Sequence, residues 1–124
     1  MPYKIDYRDG GYTAYFSGNI TIEEINLANG EVHGHPHFDS HRYQIVNFLD
    51  ADLNGVNEDD VLIPAAIDKV AAKTTQTVKV AIVANQIHSM TLAQHFVTSA
   101  QHMEVPWKFR IFPELTTAEQ WAKI

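Results

Sequence analysis

The strongest constraint on the fold is a buried strand followed directly by a long amphipathic helix. Residues 78–84 read Val-Lys-Val-Ala-Ile-Val-Ala, a nearly continuous apolar run that is typical of a strand covered on both faces. Apolar residues then recur at helical spacing from Ile87 to Met103, and Pro106 closes that segment. A strand that leads into a helix in this way favours a parallel sheet with helical connections.

Two β-favouring segments open the chain. Residues 3–8 alternate apolar and polar side chains, which is the period of a half-buried strand. Asp9-Gly10-Gly11 is a tight-turn signal, and residues 12–17 are again aromatic and β-favouring. We therefore predict an N-terminal β-hairpin.

A capped helix and a second buried strand follow the hairpin. Thr21 and Glu24 have the spacing of a capping box, and Gly34 and Pro36 predict where that helix ends. Residues 43–49 are nearly all apolar, as expected of another strand covered on both faces. Asn47 interrupts this run and must find a hydrogen-bond partner if it is buried.

The rest of the chain continues the alternation of strands and helices. A helix with Ile63, Ala66, Ile67 and Val70 on one stripe is predicted near Pro64, with a short turn over residues 58–61 before it. Residues 107–112 predict a last strand, and residues 116–123 a short terminal helix. The order is β-β-α-β-α-β-α-β-α. It predicts an α/β fold with a mixed, mostly parallel five-stranded sheet and right-handed crossovers.

Composition and charge exclude several classes of protein. The length of 124 residues suits one domain over residues 1–124, and the absence of Cys excludes disulfides and thiolate zinc sites. The net charge is −6, with −8 in residues 1–62 and +2 in residues 63–124. No basic cluster is present, which disfavours binding to nucleic acids or anionic membranes. Without a signal peptide or an apolar run of some 18 residues, we expect a cytoplasmic location.

The sequence also lacks the common motifs of catalysis. There is no Gly-x-Ser-x-Gly elbow, no Gly-x-Gly-x-x-Gly loop and no Gly-Lys-Ser/Thr signature. We therefore do not expect catalysis by a Ser-His-Asp triad or hydrolysis of nucleotides. We expect neither enzymatic activity nor a cofactor.

The chain resembles the STAS domain, the SpoIIAA-like fold of the bacterial anti-sigma-factor antagonists, and within it a set of small bacterial proteins. Three stretches carry the resemblance and together span nearly the whole sequence. They are the hairpin ending Tyr-Phe-Ser-Gly at residues 15–18, the segment from Pro36-His37-Phe38-Asp39 through the strand that ends at Asp50, and residues 80–84 with the helix after them.

The resemblance implies a (β-α)n superhelix without enzymatic activity, serving as a partner-binding or ligand-sensing module. In the antagonists, a serine near the start of the helix after the third strand is phosphorylated. Residues 54–62, which correspond to that stretch, contain no Ser or Thr. The phospho-switch therefore does not carry over to this chain.

A binding site is predicted where two neighbouring parallel strands end. Ligands of open α/β sheets gather beyond the carboxyl ends of the strands. If the strands predicted at residues 43–49 and 78–84 are neighbours, the loops after Phe48 and Val83 bring together a small set of polar groups. These candidates for ligand or partner binding are Asp50, Asp52, Asn85, Gln86 and His88.

Two metal sites are alternatives to ordinary loop structure. Asp50 to Gly55 resembles the opening of a calcium loop, but Val61 occupies the position that needs a bidentate Glu. The simpler interpretation is an Asn-Gly turn before an acidic helix start. Imidazoles are common transition-metal ligands. A histidine-rich segment could therefore hold a metal through His33, His35, His37 and His41, although solvent-exposed loop histidines are the simpler interpretation.

Our functional expectation is a non-enzymatic binding or regulatory module that acts on a protein partner or a small ligand. The alternative is a small-molecule or lipid carrier with an apolar pocket between sheet and helices, lined by Met90, Phe96, Val97 and Met103. A homodimer is a further expectation, because Trp107, Trp121 and the hairpin tyrosines exceed what a small core needs.

Overall fold

The computed structural model describes residues 2–75 and 77–124. It contains the predicted order of elements, in which each parallel strand leads into a helix. Single turns of 3-10 helix at Phe38–Ser40 and Glu58–Val61 precede β3 and α2. The elements are β1 (Tyr3–Arg8), β2 (Gly11–Asn19), α1 (Ile22–His33), β3 (Tyr43–Asp52), α2 (Leu62–Ala71), β4 (Lys79–Val83), α3 (Ile87–His102), β5 (Lys108–Phe112) and α4 (Leu115–Ala122).

The five strands form one sheet in the order β1-β2-β3-β4-β5. β1 and β2 are antiparallel, and β2 to β5 are parallel to one another. Gly10, at φ +86°, makes the tight turn of the hairpin, in a backbone conformation that favours glycine. The predicted α/β class, the mixed five-stranded sheet and the N-terminal hairpin are confirmed.

Local signals place the ends of α1 as expected. The Thr21 side chain accepts a hydrogen bond from the Glu24 amide at 3.2 Å, and the Glu24 carboxylate accepts one from the Thr21 amide at 2.9 Å. Gly34 is the C-terminal cap, so the helix ends where the sequence predicts.

Two cores lie on the two faces of the sheet. The larger one packs α1, α2 and α3 against one face, and the smaller one packs α4 against β3, β4 and β5 on the other. β3 runs to Asp52, three residues beyond the predicted end, because its last residues pair with β2 alone. Within β3, Asn47 is buried and its Oδ1 accepts a hydrogen bond from the Leu49 amide at 2.9 Å.

Helix α2 is inverted relative to an ordinary amphipathic helix. Ile63 and Val70, from the predicted apolar stripe, are exposed to solvent, whereas Asp68 is buried. An amphipathic helix normally turns its apolar stripe toward the core. Here the inner face carries Pro64, Ala65, Asp68 and Ala71, and the small alanines let the helix lie close to its neighbours.

Candidate functional site

The predicted rim residues lie at adjacent but staggered strand ends. β3 and β4 are neighbours, but β4 ends at Val83, opposite Asn47. Asp50 and Asp52 lie further along β3, paired with Ser17 and Asn19 of β2.

The side chains of this rim are mostly turned to solvent. Asp50, Asp52, Asn85 and Gln86 are exposed, and His88 is half-buried. Asp52 Oδ1 accepts a hydrogen bond from the Asn54 amide at 2.9 Å, which stabilises the turn after β3. A shared ligand or partner site at these five residues stays a prediction.

His88 connects the first turn of α3 to the loop after β3. Its Nε2 lies 3.0 Å from the Leu53 carbonyl oxygen and 3.0 Å from that of Val56. Carbonyl oxygens only accept hydrogen bonds, so Nε2 must carry the proton and donate to both. His88 therefore holds the loop between β3 and α2 against α3.

Replacing His88 with alanine is expected to lower the free energy of unfolding by about 1–2 kcal/mol, because the Leu53 and Val56 carbonyls both lose the imidazole donor and the Leu53 carbonyl keeps only the bond from the Val56 amide. Urea unfolding followed by circular dichroism measures the change. His102→Ala, at an exposed position of the same helix, is the control and should change stability by less than about 0.5 kcal/mol. Equal effects of the two substitutions would contradict the role of His88 in holding the loop.

The histidine-rich segment is packed more tightly than a solvent-exposed loop. His41 is buried, and His35 stacks on Tyr7 with ring centroids 4.2 Å apart. His35 Nδ1 already accepts a hydrogen bond from the His37 amide at 3.1 Å. Burial, followed by the nearby His35 and His37 rings, lowers the pKa of His41. The expectation of exposed loop histidines is therefore wrong for His41.

His33 stands apart from the other three histidines. It ends α1, and its Nε2 lies 3.7 Å from Asp68 Oδ1. Within residues 2–75 and 77–124, no three His, Asp or Glu side chains are grouped so that they could hold a metal ion. The metal site at His33, His35, His37 and His41 gains no support from this arrangement and stays a prediction.

An apolar groove lies between α1 and α3, above β3 and β4. Its volume is about 70 Å³. Of the residues that we predicted would line a pocket, Phe96 lines it, whereas Met103 faces a second, shallow groove beside α2. The groove is lined by Ile22 and Ile25 of α1, Gln44, Val46 and Phe48 of β3, Val80 and Ile82 of β4, Ser89, Leu92, Ala93 and Phe96 of α3, and Leu53, Val56, Val61, Pro64 and Asp68 between β3 and the end of α2.

Two polar residues at this groove were missed by sequence reasoning. Asp68 and Gln44 each expose only 3% of their surface, and both line the groove. The available signal was the position of Asp68 between Ala65 and Ala71, on the same face of α2 and at a spacing of three residues. The apolar stripe of Ile63 and Val70 obscured that signal.

The outer face of α2 forms a continuous apolar surface. Leu62, Ile63, Ala66 and Val70 are exposed, and together with Ile67 and Met103 they line the shallow groove beside the helix. We call the exposed residues Leu62, Ile63, Ala66 and Val70 the α2 stripe. The acidic turn Glu58–Val61 lies at one end of the stripe, and the exposed Lys69 and Lys73 lie near the other.

The comparisons with known proteins concern the fold. No protein-family model matches this sequence, and no curated protein matches it either. Among solved structures, an anti-sigma factor antagonist from Mycobacterium paratuberculosis is similar, with a TM-score of 0.60 and 16% sequence identity over 98% of this chain and 93% of that one. In the part of the chain that the structure describes, no helix has the length and apolar character needed to span a membrane. The resemblance to the STAS domain is confirmed at the level of the fold: this chain has the fold of an anti-sigma factor antagonist.

Proposed function

We propose that this protein is a non-enzymatic regulatory module that binds a protein partner through the α2 stripe. The observation that carries the proposal is the inversion of α2, which buries Asp68 and exposes Ile63 and Val70. Both choices cost folding free energy, because a buried carboxyl loses hydration and exposed apolar area gains nothing from folding. Contiguous exposed apolar patches commonly mark interaction sites.

The shape and charge of this surface favour a helical partner. Ile63, Ala66 and Val70 follow one another at intervals of three and four residues, the spacing of a seam between two helices. The acidic turn at one end and the lysines near the other would pair with a basic and an acidic end of the partner helix. The proposed partner therefore presents an amphipathic helix with charges of opposite sign at its two ends.

The structural neighbour supports only the general class of function. It is named as an antagonist of an anti-sigma factor. Residues 54–62 of the present chain hold no Ser or Thr, so we propose that its binding is not switched by phosphorylation at that place. Control would come from the availability of the partner or from a ligand.

A paired comparison of exposed apolar residues tests this proposal. Val70 on α2 and Leu27 on α1 are each 64% exposed, so their replacement should cost similarly little stability. We expect Ile63→Ser/Val70→Ser to reduce partner capture in a quantitative pull-down from the producing cells by at least about ten-fold, because two central apolar contacts are lost. Leu27→Ser should leave capture unchanged.

Equal capture by wild type and the double variant would contradict the proposal. A photo-crosslinker placed at Val70 then distinguishes the occupants of the stripe. A crosslink to another protein identifies the partner, whereas a crosslink between two copies of this chain assigns the surface to a homodimer.

A second candidate function is a carrier or sensor of a small ligand, which the apolar groove between α1 and α3 favours. The volume of about 70 Å³ is well below the roughly 300–1,000 Å³ of typical ligand pockets. The groove would therefore hold a small molecule, or the inner end of a longer one. Native mass spectrometry of gently purified protein tests this function, because a carrier should retain a bound mass.

A further inference from the structure

Two buried polar side chains, Gln44 and Asp68, line the apolar groove. Gln44 is buried in the middle of the sheet, and its Nε2 has no hydrogen-bond partner among the described residues. Asp68 enters the same groove from α2, and the His33 Nε2 beside it is 3.7 Å away, too far for a hydrogen bond. A buried polar group without a partner costs about 1–3 kcal/mol. Gln44 and His33 therefore each hold a buried nitrogen that the described residues leave without a partner.

Burial disfavours the charged form of both ionisable groups here. Burial raises the pKa of the Asp68 carboxyl well above its ordinary value, and burial lowers the pKa of His33 to about 4. The protonated form of Asp68, which burial favours, both donates and accepts hydrogen bonds, and the Gln44 amide nitrogen adds a donor without a partner among the described residues. A neutral hydroxyl group, which can both accept and donate a hydrogen bond, is complementary to the Asp68 carboxyl and the Gln44 amide nitrogen.

We propose that Asp68 and Gln44 bind the hydroxyl group of a neutral amphiphile, a primary alcohol whose hydrocarbon chain lies along the apolar groove. The hydroxyl oxygen accepts from Gln44 Nε2, and its proton is donated to the Asp68 carboxyl. An ammonium head would place positive charge against the Gln44 donor, and a carboxylate head would bring a charge into a nearly apolar groove. This proposal rests on the second candidate function and names its class of ligand.

The burial of the groove residues indicates where the hydrocarbon chain of the ligand leaves the protein. Val80 and Ile82, on the floor, are buried, whereas Ile22, Phe48 and Phe96 are only half-buried and form the mouth. A cavity of 150 Å³ holds benzene, so about 70 Å³ encloses only a few carbon atoms. The hydroxyl end and the first methylenes are thus enclosed, and the rest of the chain passes between the half-buried residues toward solvent.

Titration with simple amphiphiles tests the proposal. The probes are 1-butanol, 1-pentanol and 1-hexanol, followed by hexylammonium and hexanoate, added to the full chain at pH 7 with amide chemical shifts as the readout. We expect saturable binding of the alcohols, with Kd falling as methylenes are added, by at most about four-fold for each one, since only a fully buried methylene gives that gain. 1-Hexanol should bind at least about ten-fold more tightly than either charged probe.

Three variants separate the head-group contact from the apolar contact. Gln44→Leu and Asp68→Leu should each weaken 1-hexanol binding about five-fold or more, because a hydrogen bond to the hydroxyl is lost. Asp68→Asn keeps a neutral donor and acceptor and should stay within about three-fold of wild type. Asp59→Asn, on the exposed acidic turn, is the matched control and should not change Kd. Thermal melting of each variant shows that it is folded.

The outcomes distinguish failure of the hydroxyl assignment from failure of the carrier function. Tighter binding of hexylammonium than of 1-hexanol, or an equal loss in Asp68→Asn and Asp68→Leu, would overturn the hydroxyl assignment and leave the groove as a ligand site. Absence of saturable binding by every probe would overturn the carrier function as well. Partner capture through the α2 stripe is measured separately and is unaffected by either result.

Discussion

Replacement of Trp107 with alanine is expected to lower the free energy of unfolding by about 4 kcal/mol. Trp107 is only 5% exposed, and its Nε1 donates a hydrogen bond to the Thr75 carbonyl oxygen at 2.7 Å. Its ring also packs near His33 and Phe109. The substitution would leave a large cavity and a buried carbonyl without its donor, and both effects act in the same direction.

Trp121 provides the matched control for this prediction. It is half-buried on the opposite face of the sheet, where it packs on Phe112 with ring centroids 5.6 Å apart. Trp121→Ala should cost about 1–2 kcal/mol, since it loses less buried area and the Trp121 ring nitrogen donates no hydrogen bond to the described residues. Urea unfolding of both variants measures the difference, and equal losses would contradict the central position of Trp107.

Replacement of Asp68 with leucine is expected to raise the free energy of unfolding at pH 7 by about 1–3 kcal/mol, although most core substitutions lower it. The carboxyl is almost fully buried, and the neighbouring His33 does not form a hydrogen bond with it. Leucine branches at the same carbon as aspartate, and it removes the cost of burying a polar group. Asp59→Leu, at an exposed position, should change stability by less than about 0.5 kcal/mol.

The pH dependence of stability tests the charge state of Asp68 independently. Because its pKa is raised by folding, Asp68 stabilises the protein most below pH 4, and this contribution is lost as the pH rises. His33 acts in the opposite sense. Its pKa is lowered to about 4, so its penalty is lost as the pH rises from 4 to 6.5, a gain of about 3 kcal/mol. In the wild type, the contributions of Asp68 and His33 to the change of stability with pH therefore have opposite signs.

Asp68→Asn separates the two contributions. We expect the variant to gain stability relative to wild type as the pH rises above 4. In the wild type, the unfolded state releases the Asp68 proton more readily than the folded state does, which lowers stability, whereas asparagine has no such proton. His33 and His41 titrate in both proteins, so they largely cancel in the difference. Denaturant unfolding at intervals between pH 4 and pH 7 measures it. A difference that shrinks with pH would show that Asp68 is ionised and paired with protonated His33.

Helix α2 therefore has two features that lower the stability of the folded protein. A buried carboxyl and an exposed apolar stripe are both unfavourable for folding, and natural proteins commonly tolerate such costs where function requires them. The expectation that surplus tryptophans form a dimer interface lacks support at Trp107, which belongs to the core. A homodimer stays a proposal, and the α2 stripe is the surface where it would form.

The order of the elements could be predicted because each signal is local. The run at residues 78–84, the capping box at Thr21 and the glycine turn at Gly10 depend on neighbours in sequence, and all three lie where we expected them. The position of Pro64 likewise placed the first turn of α2 correctly. Such features are determined by backbone sterics and hydrophobic period, which do not require knowledge of distant residues.

Tertiary structure alone decided the rest. The length of β3 depended on pairing with the end of β2, and the partners of His88 came from a loop 32 to 35 residues away in the chain. Which side of α2 faces inward depended on how closely α1, α3 and the sheet approach it. The apolar period of the helix by itself favoured the opposite orientation, with Asp68 at the surface. A helical stripe specifies that two faces differ, but only packing against other elements decides which face is buried.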